Sequence, residues 1–180
     1  MPGWRAVLAM MLSPGSVIER LVGETSWLAA LGVSGLAFAL FFFQTGLDLA
    51  RNASGGIGQA VLLGAAGLLY GTAGVGLVGA IAWALAKPFG ARRSPWWTVR
   101  AFAIGYSPAL IYSALGLPFN LFLGWNTSVA FGVTGLLWAL GPMMAAIRSL
   151  TDGRTGVSVV LATACGGILL YGWALLNAGT

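Results

Sequence analysis

Four carboxylates, one thiol and no histidine are the main catalytic stock of this 180-residue chain. Hydrolysis inside a membrane needs a Ser–His pair, two carboxylates held together, or a metal. The first is excluded by composition. The acids are Glu19, Glu24, Asp48 and Asp152. Asp48 and Asp152 close different apolar runs and fall on opposite sides of a membrane, so they cannot act as a pair. Cys165 lies inside an apolar run with no base to activate it and reads as a small packing residue. An internal disulfide is impossible. The nitrogen and sulfur ligands of a metal site are nearly absent. The sequence assigns no catalytic, cofactor-binding or metal-binding residue, and the expectation is a protein that is not an enzyme.

The elements around these groups are apolar. Hydrophobic residues make up 58% of the chain and charged residues only 7%, against about 25% charged in a soluble domain. So few charges cannot cover a folded surface in water, and lipid is the expected solvent. The net charge of +5 is spread over segments between apolar runs, which fits membrane topology rather than nucleic-acid binding. Twenty-eight glycines suggest close helix packing in a bilayer. The expected class is all-α: one membrane domain with a bundle of five transmembrane helices and a short N-terminal amphipathic interfacial helix.

Residues 1–26 form that opening segment. Arg5 and the short run Ala6–Leu12 resemble a signal peptide only in part, since no small-x-small cleavage site follows. Ser16 and Glu19 have the spacing of a capping box, and Val17, Ile18, Leu21 and Val22 share a face suited to a membrane surface. Spans are predicted at 27–47, 59–86, 101–122, 126–147 and 157–176, each near the length that crosses about 30 Å of hydrocarbon. Asp48 and Arg51 end the first. Asn52-Ala53-Ser54 matches a glycosylation sequon. Gly64, Gly67, Gly71 and Gly74 line one face of the second span, for packing within the subunit or as a dimer seam.

Residues 87–100 read as a basic loop with Lys87, Arg92, Arg93 and Arg100, kept non-helical by Pro88 and Pro95. Arg92, Arg93 and Arg100 are candidate contacts for anionic lipid headgroups or an acidic partner. The third span is broken at Tyr106-Ser107-Pro108, because Pro108 leaves the Ile104 carbonyl without its helical donor. The break is a structural kink, a hinge or the lining of a polar cavity. Pro118 stops the span, and 118–125 is a short connection. The fifth span ends close to the end of the chain, with no soluble domain expected after it.

Five spans place eight of the nine basic residues on one side and Arg51 alone on the other. The positive-inside rule then sets the N-terminus in the cytoplasm and the C-terminus outside. Trp27, Trp83, Trp96, Trp97, Trp125 and Trp173 fall near span ends, as an aromatic belt requires.

This pattern resembles the YIP family of integral membrane proteins. The likeness rests on the opening Leu12-Ser13-Pro14 to Glu24, the basic stretch before span three, and Arg100-Ala101-Phe102-Ala103-Ile104-Gly105-Tyr106-Ser107-Pro108. It covers nearly the whole chain through short, hydrophobic motifs. It implies a scaffold, membrane-organising or trafficking adaptor without catalytic residues. Eukaryotic members carry a longer cytoplasmic N-terminal region and act with small GTPases. The short opening here is similar to that of prokaryotic members, which implies a prokaryotic inner or plasma membrane. Membrane lipids, a second copy of the chain and a small GTPase or other membrane protein are the partners this reading admits. The alternative is a transporter or channel-like pathway for a small neutral or lipid-like molecule, past Pro108 and polar groups such as Tyr70, Thr72 and Ser107. No ionisable residue sits at a span centre, so ion coupling is not expected.

Overall fold

Ser94 and Pro95 begin the helix around which the other helices pack. The Ser94 hydroxyl accepts the Trp97 amide at 3.1 Å, and Pro95 occupies the first helical position, where no amide is needed. Pro95 therefore starts a helix rather than keeping residues 87–100 in a loop. The basic loop contracts to a 3-10 turn at Lys87–Phe89 and the segment 90–94, and Trp96, Trp97 and Arg100 are helical.

The computed structural model describes residues 3–52 and 56–178. All regular structure among them is helical: α1 Gly3–Leu12, α2 Pro14–Arg20, α3 Trp27–Asn52, α4 Ile57–Leu69, α5 Val75–Ala86, α6 Pro95–Gly105, α7 Ser107–Leu123, α8 Thr134–Leu150 and α9 Thr155–Ala178. A π-helical turn, Tyr70–Gly74, joins α4 to α5, and another, Ser128–Val133, leads into α8. Ala53 and Ser54 of the sequon lie outside the described residues, as does the Trp173 side chain.

Four helical runs are long and apolar enough to cross a membrane: Trp27–Asn52, Ile57–Phe89, Pro95–Leu123 and Ser128–Leu150. This is the build of a multi-pass helical membrane protein. The most apolar window of Pro95–Leu123 is 56% buried and that of Ile57–Phe89 only 22%. The α6–α7 run is therefore central, while α4–α5 shows most of its surface to the surroundings. Leu62, Leu69 and Leu77 are among the apolar side chains it exposes.

Alternating helix direction gathers α2, residues 87–94 and residues 151–154 at one end, here called the basic end. Arg100 ties that end together by donating to the carbonyls of Gly23 at 3.2 Å and Thr25 at 3.1 Å. The end of α3 at Asn52, the start of α4 at Ile57 and the segment 124–127 lie at the opposite end.

Three further sequence expectations are corrected. The N-terminal segment forms two helices and docks on the bundle: α1 packs on α7 and α2 on α8, with Met10, Val17, Ile18 and Val22 buried. The face expected to lie on a membrane surface is covered by protein. The capping box at Ser16 does not form, because Pro14 already starts α2 and the Ser16 hydroxyl donates to the Ser13 carbonyl at 2.9 Å. Pro118 does not stop the third run. It lies inside α7, which continues to Gly124, left-handed at φ +67°. A proline removes one helical bond and need not end the helix when tertiary contacts hold the turn beyond it.

Candidate functional site

The break in the third run is a packed joint. Tyr106 leaves helical geometry at φ −81°, ψ 9°, and α7 restarts at Ser107 with Pro108 in its first turn. The Ser107 hydroxyl donates to the Ile104 carbonyl at 2.6 Å, replacing the amide that proline lacks. Tyr106, Ser107 and Pro108 are all buried. The Tyr106 ring packs on Phe38, with centroids 5.0 Å apart, and Phe38 in turn meets Tyr70 at 5.2 Å. On another side, Pro142 of α8 lies against Gly105.

The glycine face divides between two roles. A Cβ on Gly67 would collide with the Phe38 carbonyl oxygen, and one on Gly71 with that of Ser34. One on Gly64 would press on Phe43 at 3.3 Å. These three glycines pack α4 and the π-turn on α3, so the dimer seam envisaged for them is occupied within the subunit. Gly74 is not part of that contact; its Cβ would meet only the Tyr70 ring of its own turn.

The largest polar cluster was not foreseen. Gln44, Asp48 and Arg51 follow one another along α3, and Asn120 of α7 with Thr127 and Ser128 closes on them at the opposite end. Asn120 donates to Asp48 Oδ1 at 2.6 Å and to Thr127 Oγ at 2.9 Å. Thr127 donates to Gln44 Oε1 at 2.7 Å. Gln44 Nε2 donates to the carbonyls of Ser113 at 2.8 Å and Leu40 at 3.2 Å. The Ser128 amide donates to Asp48 Oδ2 at 2.9 Å. Arg51 donates to the Asn120 carbonyl, to Asn120 Oδ1 at 2.8 Å and to the Trp125 carbonyl at 3.0 Å, and stands 3.5 Å from Asp48 Oδ1. Gly116 leaves room for this set, since a Cβ there would be 2.7 Å from Gln44 Oε1.

Both amide protons of Asn120 and of Gln44 are used, so the cluster is closed. Chemically it is a latch that fastens α7 and the fourth run to α3 in a low-dielectric setting, where an unpaired polar group is costly. It presents no free nucleophile and no cluster of metal ligands among the described residues.

No family model, curated protein or solved structure matches this chain. The chemistry therefore rests on its own residues.

At the basic end the three candidate arginines separate. Arg100 is committed within the chain: it binds two carbonyls and lies over the Trp27 ring at 5.9 Å. Arg92 points outward and pairs with Asp152 at 3.7 Å. Arg93 stacks on the Trp97 ring at 4.9 Å, while its carbonyl accepts Trp83 Nε1 at 2.8 Å. Arg93 also lines an open cleft of about 500 Å³ with Gly15, Glu19, Ala145, Arg148, Ser149, Asp152 and Gly153. Sequence reasoning missed Glu19 and Arg148 as neighbours of Arg93, because only the docking of α2 on α8 brings them together.

Proposed function

We propose that this chain is a non-enzymatic integral membrane protein of scaffold or membrane-organising type, similar in kind to the YIP family. The observation that carries the reading is the buried state of Tyr106-Ser107-Pro108, with the freed Ile104 carbonyl bound by Ser107. A route for a neutral solute past Pro108 needs polar groups facing an open lumen. Here the groups at the break face protein.

The proposal includes a fifth span. α9 has 24 residues, a rise of about 36 Å at ~1.5 Å per residue. By sequence order, five spans put eight basic residues in segments on the N-terminal side of the membrane and Arg51 on the other. That asymmetry supports a cytoplasmic N-terminus and an extracytoplasmic C-terminus, in a prokaryotic plasma membrane if the family likeness holds. Membrane lipids are the first partners proposed. A small GTPase or other membrane protein enters only through the resemblance.

Solute flux tests the reading. Proteoliposomes carrying the purified protein are expected to swell in urea, glycerol and small amides no faster than empty vesicles. A protein-dependent flux that Pro108→Ala alters would replace the scaffold reading with a pathway.

A further inference from the structure

The cleft at the basic end carries charges of both signs. Arg93 comes from the segment after α5, Arg148 from the last turn of α8, Glu19 from α2 and Asp152 from the turn after α8. Among the described residues, no carboxylate lies within 4 Å of the Arg93 or Arg148 guanidinium, and no cation lies within 4 Å of the Glu19 carboxylate. Asp152 pairs with Arg92 at 3.7 Å in an exposed contact, so the charges that face this space without a partner of opposite sign are Arg93, Arg148 and Glu19. A site for a simple anion would not carry two carboxylates, and a site for a simple cation would not carry two arginines. The volume of about 500 Å³ lies in the range typical of small-molecule pockets, ~300–1,000 Å³.

We propose that this cleft binds a zwitterionic aminophosphate headgroup, with the phosphate held by Arg93 and Arg148 and the ammonium by Glu19, assisted by Asp152 at the exposed rim where it also meets Arg92. Guanidinium is the side chain best matched to phosphate oxygens. The Trp97 ring beneath Arg93 fixes that guanidinium before a ligand arrives. Gly15 and Gly153 form part of the cleft wall, and a Cβ on either would meet nothing within 4 Å. The source is a lipid rather than a free solute. Leu12, 86% exposed, ends α1 three residues before the cleft residue Gly15, an uncovered apolar side chain suited to lipid. A phospholipid with an ethanolamine headgroup has this combination of chemistry. The inference rests on the basic end lying at a membrane face and is independent of the scaffold assignment.

The test is native mass spectrometry of the full chain released from bilayers of equal phosphatidylethanolamine and phosphatidylglycerol. The wild type is expected to retain the ethanolamine lipid in preference. Each charge removed should lower retention about threefold, the size expected of an exposed ion pair, and Arg93→Ala with Arg148→Ala about tenfold. Glu19→Gln with Asp152→Asn should remove the preference while glycerol-lipid retention persists. Gly15→Leu, which fills space without changing charge, should lower retention of both lipids. Soluble O-phosphoethanolamine at millimolar concentration should not displace the lipid. Equal or greater retention of phosphatidylglycerol by the wild type would overturn the proposal, as would carboxylate variants that leave the ratio unchanged or arginine variants that leave retention unchanged. Displacement by the soluble headgroup would overturn its lipid source. Solute flux through proteoliposomes stays at the empty-vesicle level in every case if the scaffold reading holds, so the two readings fail separately.

Discussion

The Asp48 carboxylate of α3 receives the Ser128 amide at 2.9 Å and so caps, from another helix, the first turn of the fourth run. The same carboxylate accepts Asn120 at 2.6 Å. One side chain thus ties three apolar runs at one end. Asp48→Ala would leave one Asn120 amide proton and the Ser128 amide without their acceptor, and the Arg51 charge with carbonyl oxygens but no carboxylate. The expected loss is ~3 kcal/mol, within the range for breaking a partly buried charged network. Reversible unfolding in mixed micelles measures it, and a loss below ~0.5 kcal/mol would be at the level of an ordinary surface change.

Thr127→Val separates the neutral part of the latch from the charged part. It removes one acceptor of Asn120 and one donor to Gln44. Hydrogen bonds between membrane helices average only ~0.6 kcal/mol, so a loss near ~1 kcal/mol is expected. The same unfolding measurement should rank it well below Asp48→Ala.

Ser113 supplies a contrasting case. Its hydroxyl is the one buried side-chain polar atom without a hydrogen-bond partner among the described residues, while its carbonyl serves Gln44. Ser113→Ala keeps that carbonyl and removes the unpaired group. The variant should be neutral or more stable by up to ~1 kcal/mol. A clear destabilisation would mean that the hydroxyl has a partner in the membrane.

Gly67→Val and Gly71→Leu would each drive a side chain into backbone of α3. Both should fail to accumulate, or lose ~3 kcal/mol or more, since helix backbones cannot yield as side chains do. Gly141→Ala, with open space at its Cβ position, should leave yield and melting temperature unchanged. If Gly67→Val folded normally and altered only the oligomeric mass, the face would belong to a dimer after all.

The long apolar runs were legible from composition and length, because hydrocarbon sets a minimum number of uncharged residues. The freed Ile104 carbonyl was also legible, since the geometry of a proline break is local, but not that Ser107 binds it. The latch was hidden for the opposite reason. Gln44, Asp48 and Arg51 mark a span end in sequence, and Asn120 follows a proline in what reads as a loop. Only the continuation of α7 through Pro118 carries Asn120 back onto α3, where Arg51 holds its carbonyl and side chain. Pro95 was misread for a related reason: Ser94 turns a helix breaker into a helix start. The glycine spacing was plain, but its partner surface on α3 was not, because spacing cannot say whose backbone approaches.

Water access at residue 107 is the most direct measurement. Ser107→Cys in a Cys165→Ala background would be treated with a membrane-impermeant maleimide from each side of native membranes, with Trp96→Cys as the exposed control. Residue 107 is expected to remain unlabelled from both sides and to react only after denaturation in SDS, while residue 96 labels readily. Labelling of the folded protein at 107 would mean that the broken helix faces water, and the scaffold reading would give way to a pathway through the bundle.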